Sequence, residues 1–147
     1  MSLYERDYLK RQLKQLALLV ARLAGLKKRG QLDAAREEHA SAVGELLGLD
    51  HGVLARIDTP TAARLLGTPE RLRIYAELVL AEADLLADSD EQAQSEQRFR
   101  RAAELFGEVL LRAKDSDAEE ALRAILARRP ELQLPGRYRP VLIGPEA

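Results

Sequence analysis

The sequence predicts an all-α fold of antiparallel helical hairpins, and three observations predict it. Leu and Ala dominate the apolar residues, aromatic residues make up only 4% and Val and Ile are scarce, a composition of helices rather than sheets. Apolar residues recur at spacings of three and four, the period of a helix face, until about residue 128. Glycines and prolines interrupt that pattern at the places where one helix must stop and the next begin. At 147 residues the chain has the length of one domain with a proper core. The reading is a helical domain over residues 1–128 and an extended tail over 129–147.

The first helix is expected over about Leu3–Arg29. Leu9, Leu13, Leu16, Val20 and Leu23 fall on one stripe, which Leu19 and Leu26 widen. Gly30 stops it, and Lys27, Lys28 and Arg29 place cations in the last turn, at the negative end of the helix dipole. A second helix starts near Gln31 and carries Leu32, Ala35, His39, Ala42, Val43, Leu46 and Leu47 before Gly48. The link around Gly30 is too short for anything except an antiparallel neighbour, so residues 3–48 form a hairpin.

Residues 50–67 read as a connector of two short helices. Asp50-His51-Gly52 and Asp58-Thr59-Pro60 bracket Val53–Ile57, and Thr59-Pro60 opens a second segment that ends at Gly67. Thr68-Pro69-Glu70 repeats the capping hydroxyl and leading proline, and opens a second hairpin over 69–113. Its helices are expected over Pro69–Ala87 and Glu91–Ala113, separated by Asp88-Ser89-Asp90. A shorter helix follows over 118–128. Four of the six prolines, at 130, 135, 140 and 145, then make the tail extended or turning, and its apolar residues predict that it packs along the helices.

Two stretches align at an offset of sixty residues: Leu23, Leu26, Gly30, Leu32, Ala35, His39 and Ala42 over Ala83, Leu86, Asp90, Gln92, Ser95, Phe99 and Ala102. Small residues at 35, 42, 95 and 102 allow helices to approach closely, while large ones at 26, 39, 86 and 99 fill the space between them. The pattern resembles a tetratricopeptide repeat. The second copy departs from it in lacking the turn glycine and in placing Gln92 where a bulky residue is usual. Tyr8-Leu9-Lys10-Arg11-Gln12-Leu13, Leu26-Lys27-Lys28-Arg29-Gly30, Leu46-Leu47-Gly48-Leu49-Asp50 and Arg101-Ala102-Ala103-Glu104-Leu105-Phe106 are similar to segments of an uncharacterised bacterial family of small tetratricopeptide-like proteins. That resemblance implies a fold and no activity. A tetratricopeptide-like arrangement implies a groove lined by the first helix of each hairpin, which here means Ala17, Val20, Ala24, Lys27 and Lys28 with Glu77, Leu80, Asp84, Ala87 and Asp88. Ala24 and Asp84 replace the asparagine of the family's carboxylate clamps, so a clamp for a chaperone tail is not expected.

The residue inventory argues against catalysis. Without cysteine there is no disulfide, thiolate metal site or thiol nucleophile. No Glu-x-x-His, His-Glu-x-x-His, Gly-x-x-x-x-Gly-Lys-Ser/Thr or Gly-x-Gly-x-x-Gly occurs. Asp88-Ser89-Asp90-Glu91-Gln92 begins like a calcium loop but has Ala93 and Phe99 where glycine and glutamate are needed. His39, at a large-residue position, is expected to pack in the hairpin; His51, beside Asp50 in a turn, is explained by capping or solvation. The expectation is a non-enzyme with no cofactor and no metal. A helical-bundle ligand binder or enzyme would need inward-facing carboxylates around His39.

Charge is the most informative functional feature. Residues 1–30 carry eight cations against Glu5 and Asp7, a net of +6, whereas the whole chain is −1. The simplest reading is that these cations neutralise Glu37, Glu38 and Glu45 on the next helix. A face for an acidic protein partner comes next. Nucleic acid and membrane come last, because the chain as a whole is not basic and is poor in aromatic residues. The longest apolar run, Leu16–Leu26, is broken by Arg22 and is too short to span a bilayer. The charged start has no secretory pattern, so a cytoplasmic protein is expected. The function expected is a non-catalytic protein-interaction or scaffolding module that binds a peptide or partner helix in an inter-hairpin groove. A homodimer through the stripe of the first helix is the structural alternative. Residues 137–143 are a further candidate to occupy that groove.

Overall fold

Many helix boundaries among the described residues are held by a capping side chain or a glycine suited to a helix end. The computed structural model describes residues 3–143, apart from the side chains of Glu5 and Ile143. Its elements are α1 (Leu3–Lys28), α2 (Leu32–Leu47), α3 (His51–Arg56), α4 (Thr59–Leu66), α5 (Pro69–Leu86), α6 (Gln92–Arg112), α7 (Ser116–Arg128), a 3-10 turn (Gly136–Tyr138) and α8 (Arg139–Ile143). No strand occurs among the described residues. The carboxylates of Asp50, Asp58 and Asp115 and the Thr68 hydroxyl accept the backbone N–H three residues on, at 2.8 to 3.2 Å, and so cap α3, α4, α7 and α5. Gly30 turns the chain from α1 into α2 at φ +74, a backbone conformation that a side chain would strain.

The fold is organised around α5. It packs on α6 over the most extensive helix pairing in the chain, and α1 and α2 both lie against it. The main core joins Leu72, Ile74, Tyr75, Leu78 and Val79 of α5 to Ala102, Ala103, Leu105, Phe106 and Val109 of α6, and Leu54, Leu66, Leu122 and Ile125 close it from α3, α4 and α7. A smaller cluster of Leu23, Leu26, Ala35, Ala81 and Leu85 joins α1 and α2 to the second half of α5. The small residues Ala35, Ala42, Ser95 and Ala102 are buried, as are the large His39 and Phe99. Within the α1 stripe, Leu16 and Leu23 are buried inside the chain itself. Leu3, Tyr4, Tyr8, Leu18 and, from the stripe itself, Val20 remain exposed on α1.

Two arginines fasten the connector. The Arg71 guanidinium donates to the carbonyls of Leu66 at 2.9 Å and Leu47 at 2.8 Å, which end α4 and α2. Arg101 donates to the Leu54 carbonyl at 2.9 Å and the Thr59 hydroxyl at 3.0 Å. Both satisfy carbonyls that a helix end leaves without an internal partner.

The tail corrects the sequence reading. It does pack on the helices, but residues 136–143 are helical rather than extended, because Pro140 stands in the first turn of α8, where no amide donor is needed. Tyr138 is buried against α6, its ring on Gly107. Arg137 pairs with the fully buried Glu108 at 2.7 Å, and Arg112 pairs with the same carboxylate at 3.1 Å. Residues 144–147, with Pro145, lie outside the described residues. No described helix is long and apolar enough to cross a membrane.

Candidate functional site

Two places gather unusual chemistry, a surface groove and a buried polar cluster. The groove lies where α1 meets α5 and encloses roughly 510 Å3. Leu23, Ala81 and Leu85 make it apolar, and Val20, Ala24, Lys27, Lys28 and Asp84 complete its lining. These last five are positions that the sequence pattern assigned to the groove. The Lys27 ammonium donates to the Asp84 backbone carbonyl, near the C-terminal end of α5. Desolvation pushes the Asp84 carboxyl above the usual carboxylate range, against the opposing pull of Arg128, Lys27 and Arg129.

The other groove candidates are not brought there. Ala17 is exposed outside the lining, and Leu80 packs half-buried against the main core. Glu77 faces Arg73 at 4.0 Å, with Asp115 and Asp117 nearby; desolvation raises its carboxyl, Arg73 opposes that, and the two aspartates add to it. Asp88 is exposed beyond the end of α5, at φ 63. Ala87 is the residue that ends α5. Tyr138 and Arg137 sit on α6, and among the described residues of the tail none lines the α1–α5 surface.

The cations of α1 find few acidic partners among the described residues. Among the described residues its single ion pair is Arg22–Glu38, at 2.8 Å, and neither Glu37 nor Glu45 pairs with it. The expected neutralisation by α2 is thus confined to one contact. Lys28, on the groove rim, makes no ion pair among the described residues.

The buried cluster consists of His39 on α2, His51 at the start of α3 and Glu82 on α5, from which one donor atom each lies within 4.8 Å of the others. His39 is 2% exposed and its Nε2 lies 2.6 Å from the Leu78 carbonyl. A carbonyl only accepts, so Nε2 carries the hydrogen and the lone pair is on Nδ1. His51 Nε2 is 3.2 Å from Glu82 Oε2, whereas His51 Nδ1 is buried with no hydrogen-bond partner. The two imidazoles meet edge to face, with centroids 5.1 Å apart. Arg98 Nε approaches Glu82 Oε1 to 2.6 Å as an ion pair, without hydrogen-bond alignment. Burial holds the His39 imidazole below its ordinary value. Burial also works to raise the Glu82 carboxyl, but the His51 hydrogen bond and Arg98 outweigh it and the net shift is downward.

Reading His51 as a turn residue, explained by capping or solvation, misses its half-buried place against His39 and Glu82; Asp50, not His51, makes the cap. Glu82 drew no notice at all. Its signal is in the sequence all the same, since a lone carboxylate continues the inward series Tyr75, Val79, Glu82, Leu86. Comparison with family models, curated proteins and solved structures returns no match to this chain.

Proposed function

We propose that this protein is a non-catalytic interaction module that takes an apolar segment of an acidic partner protein into the α1–α5 groove. The observation that carries the reading is the composition of that groove: an apolar floor of Leu23, Ala81 and Leu85 beside Lys28, which makes no ion pair among the described residues. An occupant with apolar side chains on the floor and a carboxylate near Lys28 removes apolar surface from water and gains an ion pair at the rim. The same reading takes the two hairpins as tetratricopeptide-like, an arrangement in which α1 and α5 would be the groove helices.

Selection from a phage-displayed peptide library against the purified chain tests it. The expected result is enrichment of peptides that combine apolar anchors with Asp or Glu. Their affinity should fall about tenfold or more in Val20→Asp and several-fold in Lys28→Glu, the second loss shrinking at high salt. No enrichment, or enriched peptides that bind both variants as they bind the parent, would overturn the proposal.

A further inference from the structure

We propose that His39, His51 and Glu82 form a binding site for a divalent transition-metal ion of the zinc class. The three residues come from α2, α3 and α5, so their meeting is a product of the tertiary fold and of no local motif. Two imidazoles and a carboxylate are a donor set suited to zinc, which takes three such protein ligands and leaves a fourth position to water. The His51 side chain is 20% exposed, so water reaches the cluster from its side.

The geometry supports a shared ion in three respects. Two ligand atoms on one zinc ion, each at about 2.0 to 2.1 Å, stand roughly 3.0 to 3.4 Å apart. The 3.2 Å between His51 Nε2 and Glu82 Oε2 fits that spacing. The Leu78 carbonyl holds His39 through its Nε2–H, the kind of outer contact that orients a metal-binding imidazole and fixes its tautomer. His51 Nδ1 is a buried nitrogen with no partner, and coordination through Nδ1 instead, with Nε2–H left to donate to Glu82, would satisfy it.

Arg98 sets the strength of the site. It already balances Glu82, so a bound dication leaves the cluster net positive, and affinity should be micromolar rather than picomolar. Arg98 also steadies one carboxylate oxygen and leaves the other facing His51. Because no groove residue takes part, the site and the peptide groove stand or fall separately.

The test uses the full-length chain, stripped with a chelator and shown to be folded by circular dichroism. One equivalent of cobalt(II) should produce the visible absorption of four-coordinate cobalt, and zinc(II) should abolish it. Zinc in excess should raise the Tm by roughly 5 °C or more. His51→Ala and Glu82→Gln, the second keeping the side-chain shape should the first misfold, should each lose cobalt affinity at least tenfold. A folded parent chain with no cobalt absorption and no zinc-dependent Tm would overturn the proposal, as would folded variants that bind cobalt as the parent does.

Discussion

Gly107 is a glycine in the middle of a helix, where alanine would ordinarily stabilise by about 0.8 to 1 kcal/mol. Here the neighbour reverses the sign. A Cβ at this position would stand 2.7 Å from Cδ1 and 3.1 Å from Cγ of Tyr138, whose ring is buried between the tail and α6. The ring would have to lift, and overpacking of this kind costs about 1 to 3 kcal/mol, more than the helix gains. Gly107→Ala should therefore lower the urea midpoint, with a net loss of about 1 kcal/mol. In a Tyr138→Ala background the same substitution should raise it, because only the propensity gain remains. A Gly107→Ala loss of the same size in both backgrounds would show that Tyr138 is not what excludes the side chain.

Among the elements, α4 depends on a single carboxylate at its start. Asp58 accepts the Thr61 amide at 2.8 Å, and that backbone hydrogen bond, followed by the Thr61 side chain, holds its carboxyl below the ordinary range. A carboxyl lowered in the folded state stabilises fully above its unfolded value, about 3.9, and that contribution disappears as pH falls through the folded value. The Tm gap between the parent and Asp58→Ala should therefore be widest near neutrality and close as pH drops below about 4. A gap that is constant down to acid pH would exclude the carboxylate as the cap. Such caps explain why much of the fold is legible in the sequence: Asp58-Thr59-Pro60 and Thr68-Pro69 mark α4 and α5 where they begin. The tail was misread because proline breaks a helix only beyond its first turn, and Pro140 falls within it. Five of the ten positions named from the tetratricopeptide resemblance, Val20, Ala24, Lys27, Lys28 and Asp84, line the α1–α5 surface. The His39–His51–Glu82 cluster was not legible, since its members lie up to 43 positions apart and are joined only by the docking of α2 and α3 on α5.

Across the whole molecule, the tail and the groove are separate features, one seated on α6 and the other lying between α1 and α5. Charge follows the same division. The surplus cations lie on α1, while the buried carboxylate Glu108 is neutralised at the far side by Arg112 and by the tail's Arg137. Deleting residues 135–147 removes Tyr138 and Arg137, uncovers the α6 surface at Gly107 and leaves Glu108 to Arg112 alone. Exposure of one large aromatic side chain predicts destabilisation of about 1.5 to 3 kcal/mol, read from urea unfolding. Peptides selected on the parent chain should bind the truncated chain within about twofold, because no described tail residue lines the groove. A tail that acted as a built-in ligand would give the opposite pair of results, tighter peptide binding with little change in stability, and that outcome would move the tail from the α6 surface into the groove.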